Sequence, residues 1–325
     1  MLTFSIAKHL KARSLLPSST YFIQRTMSTM KAVVVEEYGG LDKLIYKDIE
    51  KPTASKDSVV IKNHIAGDAG EVTEVGEGVT DFKVGDRVVH LAGSGYAEYT
   101  EAPTSTVEKI THDISYETAT AAAIQGLTAL TLVRDGYPVK KDDYILVHAA
   151  AGGVGLLLCQ LGKHLGAHVI GTASTDEKCA LAKENGAEFT INSSKEDIVQ
   201  RVNEITNGVG VHASLDGVGK ATFDISLAST RRLGTLITFG NASGPVPPVN
   251  LSVLTQKNLK LMRPTLYNYL ATREESRRWY DELFALIKQG VLKFHIHKVY
   301  DLKDAQQAQK DIQDRVTTGK LLLRP

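Results

Sequence analysis

Residues 144–172 constrain the fold of this chain more than any other stretch. An apolar strand pattern, Tyr144 to His148, runs into Ala150-Ala151-Gly152-Gly153-Val154-Gly155. A helical pattern from Gly153 to Leu165 then leads to a second strand pattern, His168 to Thr172. A glycine turn alone says little, but between a strand and a helix, within a unit of about thirty residues, it is the arrangement that holds the pyrophosphate of a dinucleotide. Gly152 lets the backbone approach the anion, and Gly155 permits close packing of helix on strand. The first amides of the helix aim their partial positive charge at the phosphates. Ala150 stands where the strict pattern has its first glycine.

The alternation continues downstream. Strand patterns at 189–191, 211–215 and 234–239 are interleaved with helical patterns at 176–184, 195–206 and 222–229. Such an order needs crossovers over a parallel sheet, hence a doubly wound α/β domain. Upstream, short Val- and Ile-rich or alternating segments between 31 and 100 are separated by glycine turns, as in a small barrel-like β domain. An Ala- and Leu-rich helix, Thr118 to Val133, follows and stops at Asp135-Gly136. The tail reads as helices at 273–289 and 302–313 with strands at 294–299 and 320–323. With 325 residues, 42% apolar and 23% charged, the chain is long enough for two globular cores. No apolar run has the length of a membrane span.

The choice of nucleotide turns on the end of the second strand. An NAD site would place an acid there for the ribose diol. This chain has Thr172-Ala173-Ser174-Thr175, followed by Asp176, Glu177 and Lys178. Ser174 can donate to a 2′-phosphate and Lys178 can neutralise it, which favours NADPH over NADH. Thr175 also reads as a helix cap, with Asp176 and Glu177 complementing the helix dipole, and the two readings are compatible.

The fingerprint, with Gln125-Gly126-Leu127-Thr128-Ala129 before it and Phe239-Gly240-Asn241-Ala242-Ser243-Gly244 after it, resembles the zeta-crystallin-like quinone oxidoreductases of the medium-chain dehydrogenase/reductase superfamily. The resemblance runs from Met30 to the C-terminus and includes Glu37-Tyr38-Gly39-Gly40, Arg263-Pro264 and Thr318-Gly319-Lys320-Leu321. It implies a Rossmann doubly wound parallel sheet at 119–266. It also implies a GroES-like β-barrel domain at 28–118, completed by 267–325, a cleft between the two, and a homodimer. It would put Thr128 and Asn241 near a nicotinamide, with Phe239 and Gly240 lining its pocket. Asn192 and Ser193 would flank the adenosine half, Lys320 would lie near the phosphates, and 216–219 would form the loop after a Rossmann strand. The activity it implies is zinc-independent transfer of hydride from NADPH to small quinones, with enoyl or alkenal reduction as the alternative and no catalytic side chain assigned. Zeta-crystallin relatives are also associated with AU-rich RNA, which leaves RNA binding or a catalytically impaired NADPH-binding protein as further alternatives.

The chain departs from that family after Asn63-His64-Ile65-Ala66-Gly67. Relatives continue there through a segment of roughly two dozen residues, whereas here Gly67-Asp68-Ala69-Gly70 joins the two strands directly. The expectation is a nicotinamide end open to water, with bare apolar surface and with cofactor binding surviving better than turnover. Either a shortened protein or a missed exon fits that join.

Metal chemistry is disfavoured by the donors. Cys159 and Cys179 are too few for a thiolate zinc set and both fall on predicted helices of the α/β domain, while His295 and His297 have no third ligand nearby. Residues 1–27 contain Lys8, Lys11, Arg13 and Arg25 with no acid, the composition of a mitochondrial presequence, and Met27 and Met30 offer internal starts for a cytoplasmic form. Without these four cations the remainder carries a net charge of −3, which gives RNA binding no electrostatic support.

Overall fold

A computed structural model describes residues 28–314 and 316–325; the leader expected at 1–27 lies outside them. Strands β1 (Thr29–Val34) and β2 (Ile45–Glu50) pair as an antiparallel ribbon. The next five strands are β3 (Ser58–Ile65), β4 (Ala69–Val75), β5 (Arg87–His90), β6 (Tyr99–Pro103) and β7 (Val107–Lys109). They form one antiparallel sheet in the order β6-β3-β4-β5-β7. Val59, Ile61, Val72, Phe82, Val88 and Ala102 cluster as its core. Long-range pairing with β3 places β6 three residues later than the alternation at 96–100 predicts.

Pairing of β3 with β4 ends at Ile65 and Ala69, so the chain reverses within residues 66–68. Gly67 adopts φ +117°, a conformation that favours glycine. Its Cα lies so near Gly95 that a Cβ there would stand 2.5 Å away. The direct join foreseen from the sequence is thus a tight, packed turn.

Helix α1 (Tyr116–Thr131) starts at Ser115, whose hydroxyl accepts from the Thr118 amide, and runs into a π turn at Leu132–Gly136. Then come β8 (Tyr144–Val147), α2 (Gly153–His164), β9 (His168–Ala173), α3 (Asp176–Glu184), β10 (Phe189–Asn192) and α4 (Ile198–Ile205). They are followed by β11 (Val211–Asp216), α5 (Phe223–Ser229), β12 (Thr230–Thr238) and β13 (Lys260–Met262). The strands make a six-stranded parallel sheet in the order β10-β9-β8-β11-β12-β13. Strand order reverses between β8 and β11, and the crevice outside their carboxyl ends is where such sheets take ligands.

Two local differences from the sequence reading have physical causes. Helix α4 begins at Ile198, capped by Asp197, three residues later than the pattern at 195–206, because the Asn192 side chain accepts the Ser194 amide and holds residues 193–196 in a turn. Strand β12 begins at Thr230, and Leu233 at φ +62° accommodates a register shift against β11.

The chain closes with α6 (Arg273–Lys288), β14 (Ile296–Asp301), α7 (Ala305–Gln313) and β15 (Lys320–Arg324). This last segment ties the halves together. Ala66 N donates to Leu323 O at 2.8 Å, and Arg273 Nη1 donates to the carbonyls of Thr104 and Val107 at 2.7 and 2.6 Å. Gly126 leaves room for Leu283 of α6, so α6 lies directly on α1. One apolar core runs from Ala69 and Val89 through Leu127 and Leu283 to Val147 and Leu157. No helix among the described residues is long and apolar enough to cross a membrane.

Candidate cofactor-binding site

The turn after β8 is strained at Ala149, a non-glycine residue at φ +49°. Its neighbours are fixed: Ala150 is fully buried with its amide on Thr172 O at 2.8 Å, and Gly152 N donates to Ala149 O at 2.8 Å. The glycines differ in purpose. A Cβ at Gly155 would collide with the Ala149 carbonyl, so Gly155 serves helix-to-strand packing as expected, and a Cβ at Gly153 would strike the Gln125 carboxamide. At Gly152 a Cβ would meet only Ala149 O at 3.2 Å. Val154 is half-buried against the core.

Gly152 is the N-cap of α2 and offers no side chain to it, whereas Ser115, Thr175, Asp197 and Thr272 cap α1, α3, α4 and α6. The first-turn amides of α2 therefore lack a side-chain acceptor. They adjoin a cleft of about 470 Å³ whose walls include Gly152, Ser174, Lys178, Ser193, Thr222 and Ile312. An anion-receptive helix end, a Ser and a Lys share one cavity, so the residues present fit a phosphorylated dinucleotide. Ala151 also lines it.

Asp216, at the end of β11, organises the opposite wall. It is fully buried, and its Oδ1 accepts from Val218 N, Gly219 N and Thr222 Oγ1 at 2.8, 3.0 and 2.8 Å. Its Oδ2 accepts from Thr222 Oγ1 and Ser226 Oγ at 2.8 and 2.9 Å. The loop it shapes presents Val218, Ala221 and Thr222 to the cleft. Beneath lies His148, its Nδ1 3.2 Å from Thr172 Oγ1 and its Nε2 without a partner among the described residues. Burial lowers the His148 pKa while the Asp216 charge opposes that, and the ring stays neutral. A carboxylate closing an apolar strand ahead of Gly-Val-Gly was the available sign of this network.

Of the residues expected around the nicotinamide, Thr128 and Phe239 line a second pocket of about 360 Å³, together with Thr131, Arg263 and Tyr269. Arg263 Nη1 donates to Thr238 O, Thr238 Oγ1 and Gly240 O, each at 3.0 Å, and pins the turn after β12. Phe239 packs on Gly217, where a Cβ would lie 2.8 Å from the ring, while Ala242 faces the larger cleft. The 239–242 turn therefore borders both cavities. Every residue lining the second pocket lies between 128 and 269, so residues 28–118 contribute none of its wall.

Asn192, Gly240, Asn241 and Lys320 line neither of these two cavities. Asn192 is buried and lines neither cavity, because its carboxamide is engaged by Asp176 and Ser194. Asn241 is exposed on the turn and lines neither pocket. Lys320 borders a narrow crevice with Gln125 and Gly153, close to the buried Asp68. Burial pushes the Asp68 pKa up to about 6 against the pull of Lys320.

A probable quinone oxidoreductase of Schizosaccharomyces pombe is 42% identical over 307 residues, spanning 86% of this chain and 92% of its own. The chain belongs to the quinone oxidoreductase family of the medium-chain dehydrogenase/reductase superfamily. Quinone oxidoreductase 1 of Escherichia coli is a further family member, 44% identical over 263 residues, with 79% of this chain and 80% of its own covered. Among solved structures, a Pseudomonas syringae quinone oxidoreductase superposes with a TM-score of 0.89 at 39% identity, covering 91% of this chain and all of its own. The E. coli quinone oxidoreductase complexed with NADPH gives 0.87 at 36% identity, with 91% and 99% covered. A family model described as zinc-binding dehydrogenase matches residues 153–288. The side chains here do not fit zinc: Cys159 and Cys179 are buried on α2 and α3, and no three His, Cys, Asp or Glu converge among the described residues.

Proposed function

We propose that the chain is an NADPH-dependent reductase of small quinones. The observation that carries this is the uncapped start of α2 facing a cavity that also holds Ser174 and Lys178. The backbone amides at 153–155 would bind the pyrophosphate, and Ser174 and Lys178 would take the 2′-phosphate. Thr128 and Phe239, with Arg263 bracing the turn, would orient the nicotinamide ring, and Leu132, Leu266 and Phe239 would exclude water from one side of it. NADPH, when bound, supplies the hydride that the quinone accepts. A quinone accepts electrons without Lewis-acid polarisation, so this activity needs no metal.

The test is loss of NADPH absorbance with 1,2-naphthoquinone as acceptor. Turnover supports the reading, and an inert mixture from protein that binds NADPH contradicts it. A homodimer formed through the sheet-edge strand β13, to be measured by light scattering, and a mitochondrial matrix location, to be measured by fractionation, complete the proposal.

A further inference from the structure

Asp176 opens α3 at the tip of β9, where a bare carboxylate would repel a 2′-phosphate. Both of its oxygens are engaged. Lys195 Nζ lies 2.5 Å from Oδ2, and Asn192 Nδ2 donates to Oδ1 at 2.6 Å. Asn192 is in turn immobilised: its Oδ1 accepts the Ser194 amide at 3.1 Å, and its own amide donates to Glu196 Oε1 at 2.8 Å. The neighbouring hydroxyls bind the two strand tips together, with Ser193 Oγ donating to Ala173 O at 3.1 Å and Ser194 Oγ to Ser174 O at 2.9 Å. The outcome is selective. Ser174, Lys178 and Ser193 line the cleft, and Asp176 does not.

We propose that Lys195, acting through Asp176 with Asn192 as the second anchor, makes this cleft prefer a nucleotide bearing a 2′-phosphate. Lys195 is a positioning residue: it pairs with the Asp176 carboxylate and holds it toward β10. The inference rests on the NADPH reading above and adds what sets the preference. An ion pair this exposed contributes little to stability, so removing Lys195 should leave the fold intact. A carboxylate freed to face a phosphate dianion across several ångströms of solvated protein weakens binding by about three- to tenfold at low salt.

The experiment is calorimetric titration of the whole chain with 2′,5′-ADP and with 5′-AMP, which probe the adenosine end alone. The parent should prefer 2′,5′-ADP. Lys195→Ala should lower the ratio of the two affinities about three- to tenfold while leaving 5′-AMP binding unchanged, which also shows that the variant is folded. Asp176→Asn should keep the ratio, and adding Lys195→Ala to Asp176→Asn should change it by less than about twofold, because the carboxylate is already gone. An unchanged ratio in Lys195→Ala, or equal losses in both backgrounds, overturns the proposal. A parent that binds both nucleotides equally overturns the NADPH reading as well. Failure of quinone turnover with the ratio shift intact counts against the quinone assignment and supports this inference.

Discussion

The amide of Gly319 donates to the carbonyl of Ala151 at 3.2 Å, so the C-terminal segment braces the glycine turn from outside the parallel sheet. Gly319 sits at φ +61°, and a Cβ there would collide with the His295 carbonyl. Gly319→Ala should destabilise the protein by about 2–3 kcal/mol and weaken NADPH binding with it. Urea unfolding alongside a nucleotide titration measures both.

Gly152 and Gly155 should separate by substitution. Gly155→Ala drives a methyl group into the backbone at Ala149 and should cost about 2–4 kcal/mol of stability. Gly152→Ala meets only one atom at 3.2 Å and should unfold within about 1 kcal/mol of the parent while losing nucleotide affinity. The contrast between denaturation midpoint and binding constant checks the division.

Much of this site can be read from residues adjacent in sequence. The continuous apolar run of β8, the glycine turn and the Thr175 cap made the strand-turn-helix-strand unit and the 176–184 helix legible, because each signal is local. Ser174 and Lys178 were legible for the same reason. The register of β6 was not, since it is set by pairing with β3, which no local pattern encodes. Nor was the division of the predicted cofactor residues between two cavities, which depends on how Phe239 folds over Gly217. Ile312 and Thr317 reach the cleft from the far end of the chain, and Asn192 turned inward because Asp176 and Ser194 compete for its carboxamide.

Asp216→Ala should be severe. It strands the amides of Val218 and Gly219 and the hydroxyls of Thr222 and Ser226 beside a buried imidazole. A cost of about 3–5 kcal/mol follows from removing a buried acceptor with this many donors. Asp216→Asn keeps part of the network and should retain the fold with weaker NADPH binding. Chemical denaturation of both variants provides the check.

Stability should respond to pH through two buried groups that adjoin each other, for His90 N donates to Asp68 O at 2.6 Å. Asp68 has its pKa raised to about 6 by burial, so its contribution is most favourable below about pH 4 and is lost as pH rises through 6. His90 is lowered to about 4 by burial, so its contribution is present above about pH 6.5 and lost as pH falls toward 4. Asp68→Asn should raise stability near pH 7.5 by up to about 3 kcal/mol and do little near pH 4. Melting curves at the two pH values decide; equal effects at both would contradict the assignment.

Lys178→Ala should raise the NADPH dissociation constant about tenfold and leave that for NADH within about twofold, if the Lys178 side chain that lines the cleft neutralises the 2′-phosphate as proposed. Competition between the two nucleotides measures the difference.

Nucleotide binding at the start of α2 can be measured by titrating NADPH into the protein and into Gly152→Trp while following nicotinamide fluorescence. The parent should bind saturably, with a loss of at least about a hundredfold when the indole fills the approach to α2. Absence of binding by the parent, or an affinity that Gly152→Trp leaves unchanged, would contradict the NADPH reading.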